Sequence, residues 1–165
     1  MTEQEQMNEL IDKVHQWGVD RKIIGNGKLE TQWLKLLSEF GEMCDTLAKG
    51  GDPIDDIGDQ LVVLIMMAGI VGRIDHARWA IFSPFSPEEA AEEESETLCA
   101  LMCKTYSALL DSHLNLFRVY SLATGTLSGI ASHSGHTLKE CLSHAWNEIK
   151  DRKGYLNEQG VFIKE

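Results

Sequence analysis

Leu36-Leu37-Ser38-Glu39-Phe40-Gly41-Glu42-Met43 and, beyond a connector holding Gly50, Gly51 and Pro53, Asp55-Asp56-Ile57-Gly58-Asp59-Gln60-Leu61 are the stretches on which the reading of this chain turns. In each, two carboxylates stand three residues apart inside an apolar pattern of helical period, so each pair leaves one helix face on the side expected to be buried. Glu39 and Glu42 lie beside Phe40 and Met43, and Asp56 and Asp59 directly precede the almost wholly apolar Leu61 to Ala68. Buried acids need partners. Four hard oxygen donors from two facing helices suit Mg²⁺ or Mn²⁺, ions that keep waters and also bind substrate phosphates.

Working outward, the helical pattern continues in both directions. Met7, Leu10, Ile11, Val14, Trp17 and Gly18 recur at three- and four-residue steps, which predicts an amphipathic helix from Glu3 to about Val19, ended near Gly25-Asn26-Gly27. A second helix is expected over Leu29 to Lys49, with Gly50-Gly51 as a stop that accepts positive φ. Asp52 before Pro53 reads as an N-cap with proline at the first helical position, opening a third helix to about Gly72. Ser83-Pro84-Phe85-Ser86-Pro87 breaks the chain, and Ser86 with Glu89 reads as a capping box. The helix it opens begins with the acidic run Glu88 to Glu96 and turns apolar from Leu98 to Leu110. Leu114 to Ile130 is expected to be a helix interrupted near its glycines. The last helix is expected from His136 to about Lys153, closed by Gly154, with Val161-Phe162-Ile163 as a short extended segment. The fold class is therefore all-α.

Composition bounds the function. A chain of 165 residues is ordinary for one domain and long enough to bury a core. Its net charge of −11 argues against a nucleic-acid-binding surface or an anionic membrane partner, so an anionic substrate needs a local cation. The longest apolar run, Leu61 to Val71, is about half of the ~20 residues a membrane span requires. Met1 to Asn8 is polar and acidic, unlike a signal peptide, which predicts a cytoplasmic location. Cys44, Cys99, Cys103 and Cys141 have no framework spacing and read as reduced thiols. His133, His136, Cys141 and His144 fit no common zinc knuckle, and capping and packing account for them better. Neither a phosphate loop nor a nucleophile elbow is present.

The two acidic stretches resemble the MazG-like all-α nucleoside triphosphate pyrophosphohydrolases, especially their short phage-type members. That family carries Glu-x-x-Glu on one helix and Glu-x-x-Asp on the next, and both halves here share the glycine before the second acid. The likeness extends to Trp17 through Ile24, to Ala145-Trp146-Asn147-Glu148-Ile149-Lys150-Asp151-Arg152-Lys153-Gly154 and to Val161 through Lys164, so it covers roughly 1–73 and 136–165. It departs at Asp56, where the family usually has Glu and the arm is one methylene shorter, with Asp55 as an alternative ligand. It departs again over about 74–135, a stretch much longer than in the smallest members.

The resemblance implies a MazG-like bundle with a four-helix core and an inserted helical stretch at about 74–135, all within a single domain over 1–165. It also implies Mg²⁺-dependent hydrolysis of nucleoside triphosphates, deoxynucleotides among them, between the α and β phosphates, with Mn²⁺ as a substitute. Glu39, Glu42 and Asp59 are then catalytic metal ligands with Asp56 as the fourth, or one of the glutamates, Glu39 before Glu42, serves instead as the base for the attacking water. Lys35 shares a face with Glu39, while Asn147, Lys150 and Lys153 recur along the last helix as phosphate-facing groups. Trp17 and Arg21 are the candidates for base recognition, with Lys22 and Asn26 beside them and Trp33 near the metal helix, although large aromatics at helical spacing usually pack, so Trp17 and Trp33 read equally well as core residues. A homodimer or homotetramer is implied as well, in the host cytoplasm for a phage-encoded chain. The alternative is a catalytically silent helical interaction protein in which the acids are relics.

Overall fold

The computed structural model describes residues 1–82 and 116–165. The capping box at Ser86, the acidic run Glu88 to Glu96, the helix expected through Leu98 to Leu110, and Cys99 and Cys103 lie outside the described residues.

Helix α1 (Glu3–Asp20) opens with Thr2 accepting from the Glu5 amide while the Glu5 carboxylate accepts from the Thr2 amide, a reciprocal cap. A short turn, α2 (Ile23–Asn26), follows, broken internally where Gly25 takes φ +115. Helix α3 (Leu29–Ala48) ends as expected at Gly50, whose φ of +70 frees the Gly51 amide to reach the Thr46 carbonyl at 2.9 Å. Helix α4 is Ile54–Ile70, with the Asp52 carboxylate accepting from the Ile54 amide at 3.1 Å, so Asp52 caps it one position earlier than a standard N-cap. Then come α5 (Ile74–Phe82), α6 (Leu116–His133) and α7 (Leu138–Ile149).

Helix α4 is the axis of the molecule. It touches α1, α2, α3, α5, α6 and α7, and Leu61 through Ala68 are all buried. That encirclement is why its sequence is apolar all round and not merely along one stripe. The described parts of 74–135 are not appended to this core: Ala77 and Ala80 of α5 and Val119, Tyr120, Ala123, Leu127 and Ile130 of α6 belong to the same hydrophobic cluster. Helix α6 is also unbroken, because Thr124 and Thr126 return their hydroxyls to the Tyr120 and Leu122 carbonyls and do not compete for the ladder.

The end of the chain differs from the sequence expectation. Helix α7 starts at a Thr137–Glu140 capping box and stops at Ile149, before Lys153 is reached. Gly154 is not its terminator but the first residue of β1 (Gly154–Leu156), which pairs antiparallel with β2 (Phe162–Lys164). A Cβ at Gly154 would stand 2.2 Å from the Ile163 carbonyl oxygen, so the hairpin requires glycine there. The turn is organised by the Asn157 side chain, which accepts from the Gln159 and Val161 amides at 3.0 and 2.9 Å.

Candidate metal centre

Helices α3 and α4 place the two acidic stretches against each other, and each acid finds a different environment. Glu39 is only 3% exposed. Its carboxylate forms an ion pair with Lys35 one turn earlier on α3, and that lysine side chain is 52% exposed. Asp59, half-buried on α4, feels this carboxylate: burial first, and then the Glu39 and Asp55 charges, lift its carboxyl from 3.8 to about 6 against the opposing pull of Lys35 and Arg152. Asp56 forms a second couple with α3. Burial raises its carboxyl, a hydrogen bond from Thr46 lowers it, and the Asp55 and Glu42 charges raise it again. Glu42 is exposed and accepts a long hydrogen bond from Ser38 at 3.4 Å.

The seam thus brings together carboxylates whose negative charges oppose one another in a partly desolvated space, with oxygen as the donor type throughout. That donor set fits a hard divalent cation, which takes oxygen ligands and would neutralise the crowding. Among the described residues the acids of the seam do not close into a cluster of three ligand atoms within 4.8 Å; Asp55, His144 and Glu148 do. Asp55 therefore turns toward α7, leaving Asp56 as the α4 acid that faces Glu42.

The two motif glycines have unequal duties. At Gly58 a Cβ would lie 2.4 Å from the Cys141 carbonyl oxygen and 2.8 Å from the Ala145 Cβ, so this glycine permits the closest approach of α4 and α7. At Gly41 the same atom would meet nothing within 4 Å.

Several of the expected substrate contacts are engaged elsewhere. Trp17 is buried, its indole N–H donates to the Ile149 carbonyl at 2.8 Å, and its ring meets Phe162 edge-on at 5.5 Å. Arg21 lies over that ring at 4.7 Å and donates to the Arg152 carbonyl from Nε and Nη2 at 2.9 and 2.7 Å. Both therefore fasten the end of α7 to α1. Lys150 donates to Asn147 Oδ1 at 3.2 Å, so these two exposed groups satisfy each other, and Lys153 is exposed. The cation whose charge reaches Asp59 from this region is Arg152, which periodicity along a helix could not have found because the helix has already ended. The imagined zinc set is dispersed: His136 pairs with Asp52 at 2.8 Å and His144 lies 3.6 Å from Asp55. Cys141 is fully enclosed, and burial pushes its thiol up to about 11.

Fold and site together define an all-α protein with opposed carboxylates at a helix–helix seam. No protein-family model matches the chain, and no solved structure matches it significantly. Over 64 residues it is 36% identical to an uncharacterized 18.2 kDa protein from the rep-hol intergenic region of Haemophilus phage HP1. That match covers 38% of this chain and spans about two fifths of the phage protein, 39% of its length. Among the described residues no helix is long and apolar enough to cross a membrane.

Proposed function

We propose that this protein is a metal-dependent nucleoside triphosphate pyrophosphohydrolase, cleaving between the α and β phosphates to give the monophosphate and pyrophosphate, with deoxynucleotides as the favoured substrates. The observation that carries the reading is the buried Glu39 carboxylate beside Asp59, two like charges confined at one seam. Glu39, Glu42, Asp56 and Asp59 would hold Mg²⁺, or Mn²⁺ in its place. The bound ion would supply polarised phosphoryl oxygens and a water of lowered pKa.

The chain's own residues supply the remainder. As an alternative to ligation, Glu39 is the group to take a proton from the attacking water, since it is the most deeply buried of the four and a carboxylate beside a metal-bound water can accept its proton. Lys35, about half exposed at 52%, can swing from Glu39 toward a phosphate, and Arg152 adds positive charge near Asp59. With a net charge of −11, these local cations are what an anionic substrate would meet. The test is a screen of the common ribo- and deoxynucleoside triphosphates with Mg²⁺ and Mn²⁺, detecting monophosphate and pyrophosphate separately. Release of orthophosphate instead, or no metal-dependent product from any nucleotide, would overturn the assignment.

A further inference from the structure

We propose that Asp55, His144 and Glu148 bind a divalent transition-metal ion at a second site, between α4 and α7, separate from the all-oxygen seam between α3 and α4. One ligand atom from each of the three lies within 4.8 Å of the other two. His144 and Glu148 are four apart on α7 and share a face, while Asp55 comes from the first turn of α4. His144 Nε2 stands 3.6 Å from Asp55 Oδ1, too far for a direct hydrogen bond. Two ligands each about 2.0–2.2 Å from a shared ion stand about 3–4 Å apart, so this spacing matches ligands facing one ion.

The charges point the same way. Asp55 and Glu148 are two carboxylates sharing a single imidazole neighbour, and among the described residues the Glu148 side chain has no hydrogen bond or ion pair of its own. The backbones that carry the three donors are held fixed. Gly58 admits the Cys141 carbonyl and Ala145 to the closest approach of the two helices, and Asp52 pairs with His136 at 2.8 Å alongside. A site whose donors sit on rigid helices loses little entropy when it closes on an ion. The imidazole selects the metal: one nitrogen with two carboxylates suits Zn²⁺, Mn²⁺, Co²⁺ or Fe²⁺, whereas Mg²⁺ takes oxygen ligands in octahedral geometry.

Titration calorimetry with Zn²⁺, and visible absorption with Co²⁺, on the full chain in excess Mg²⁺ test this. Wild type and Glu42→Gln are expected to bind a single Zn²⁺ that Mg²⁺ does not displace. His144→Gln and Glu148→Gln are each expected to weaken Zn²⁺ by about tenfold or more, since loss of even an outer partner of a metal ligand costs about 10–100-fold. His144 is part-exposed and Glu148 exposed, so neither variant opens the core, and circular dichroism checks that both fold. Equal Zn²⁺ affinity in wild type and both variants, or complete displacement by Mg²⁺, overturns the site. Failure of the nucleotide screen with Zn²⁺ binding intact would overturn only the hydrolase reading.

Discussion

Asp59 on α4 feels the Glu39 carboxylate on α3: after burial itself, the Glu39 charge is the largest influence lifting the Asp59 carboxyl to about 6. The folded protein therefore holds a proton at Asp59 over a range where the unfolded chain, with an ordinary value of 3.8, has lost it. Stability contributed by that proton is present below about pH 4 and is lost as pH rises to about 6, because the folded state is then the one binding more protons. Denaturant unfolding in metal-free buffer is expected to show wild type losing stability across this window and Asp59→Asn losing less. Mg²⁺ added above pH 6 should restore wild type and not the variant; an equal response of both sinks the pairing.

Glu42 offers a cleaner probe of activity, because it is exposed and its removal leaves no cavity. Glu42→Gln should keep the helical fold and lower kcat by two decades or more, since metal-assisted stabilisation of a phosphoryl transition state is worth several kcal/mol and each 1.36 kcal/mol is tenfold. Unchanged turnover would remove Glu42 from the ligand set.

The motif glycines predict opposite signs for one substitution. Gly58→Ala forces a Cβ to within 2.4 Å of the Cys141 carbonyl oxygen, and overpacking of that kind costs about 1–3 kcal/mol. Gly41→Ala meets open space in mid-helix and should stabilise by about 0.5–1 kcal/mol. Chemical denaturation of the two variants side by side decides it.

Trp17 separates a structural from a base-reading role. Trp17→Phe keeps an aromatic ring but removes one of the two donors to the Ile149 carbonyl, which still accepts from the Arg152 amide at 2.8 Å, so the loss should cost about 0.5–1.5 kcal/mol. The KM for nucleotide is expected to stay where it is, and a rise in KM at unchanged stability would return Trp17 to the binding site.

Much of this was legible in the chain. The three- and four-residue recurrence of Met7, Leu10, Ile11, Val14 and Trp17 marks α1 almost to the residue, and Gly50 and Asp52 bracket the turn between α3 and α4. Elsewhere the local signals point two ways. Gly154 serves equally as a helix stop or a strand residue in sequence, and only the Ile163 carbonyl lying against it decides for the hairpin. Trp17 was ambiguous for a similar reason, because a large aromatic at helical spacing can pack or recognise, and its indole partner is 132 positions away.

What the sequence by itself determined was periodicity: which stretches are helical, and that two acid pairs ride on α3 and α4, because a helix's face is set by residues three and four apart. What the tertiary structure decided was partnership. Asp55 and Asp56 are neighbours in the chain, yet one turns to His144 on α7 and the other to Glu42 and Thr46 on α3. Successive side chains leave a helix about 100° apart, so only the placement of the surrounding helices determines which neighbour each will meet.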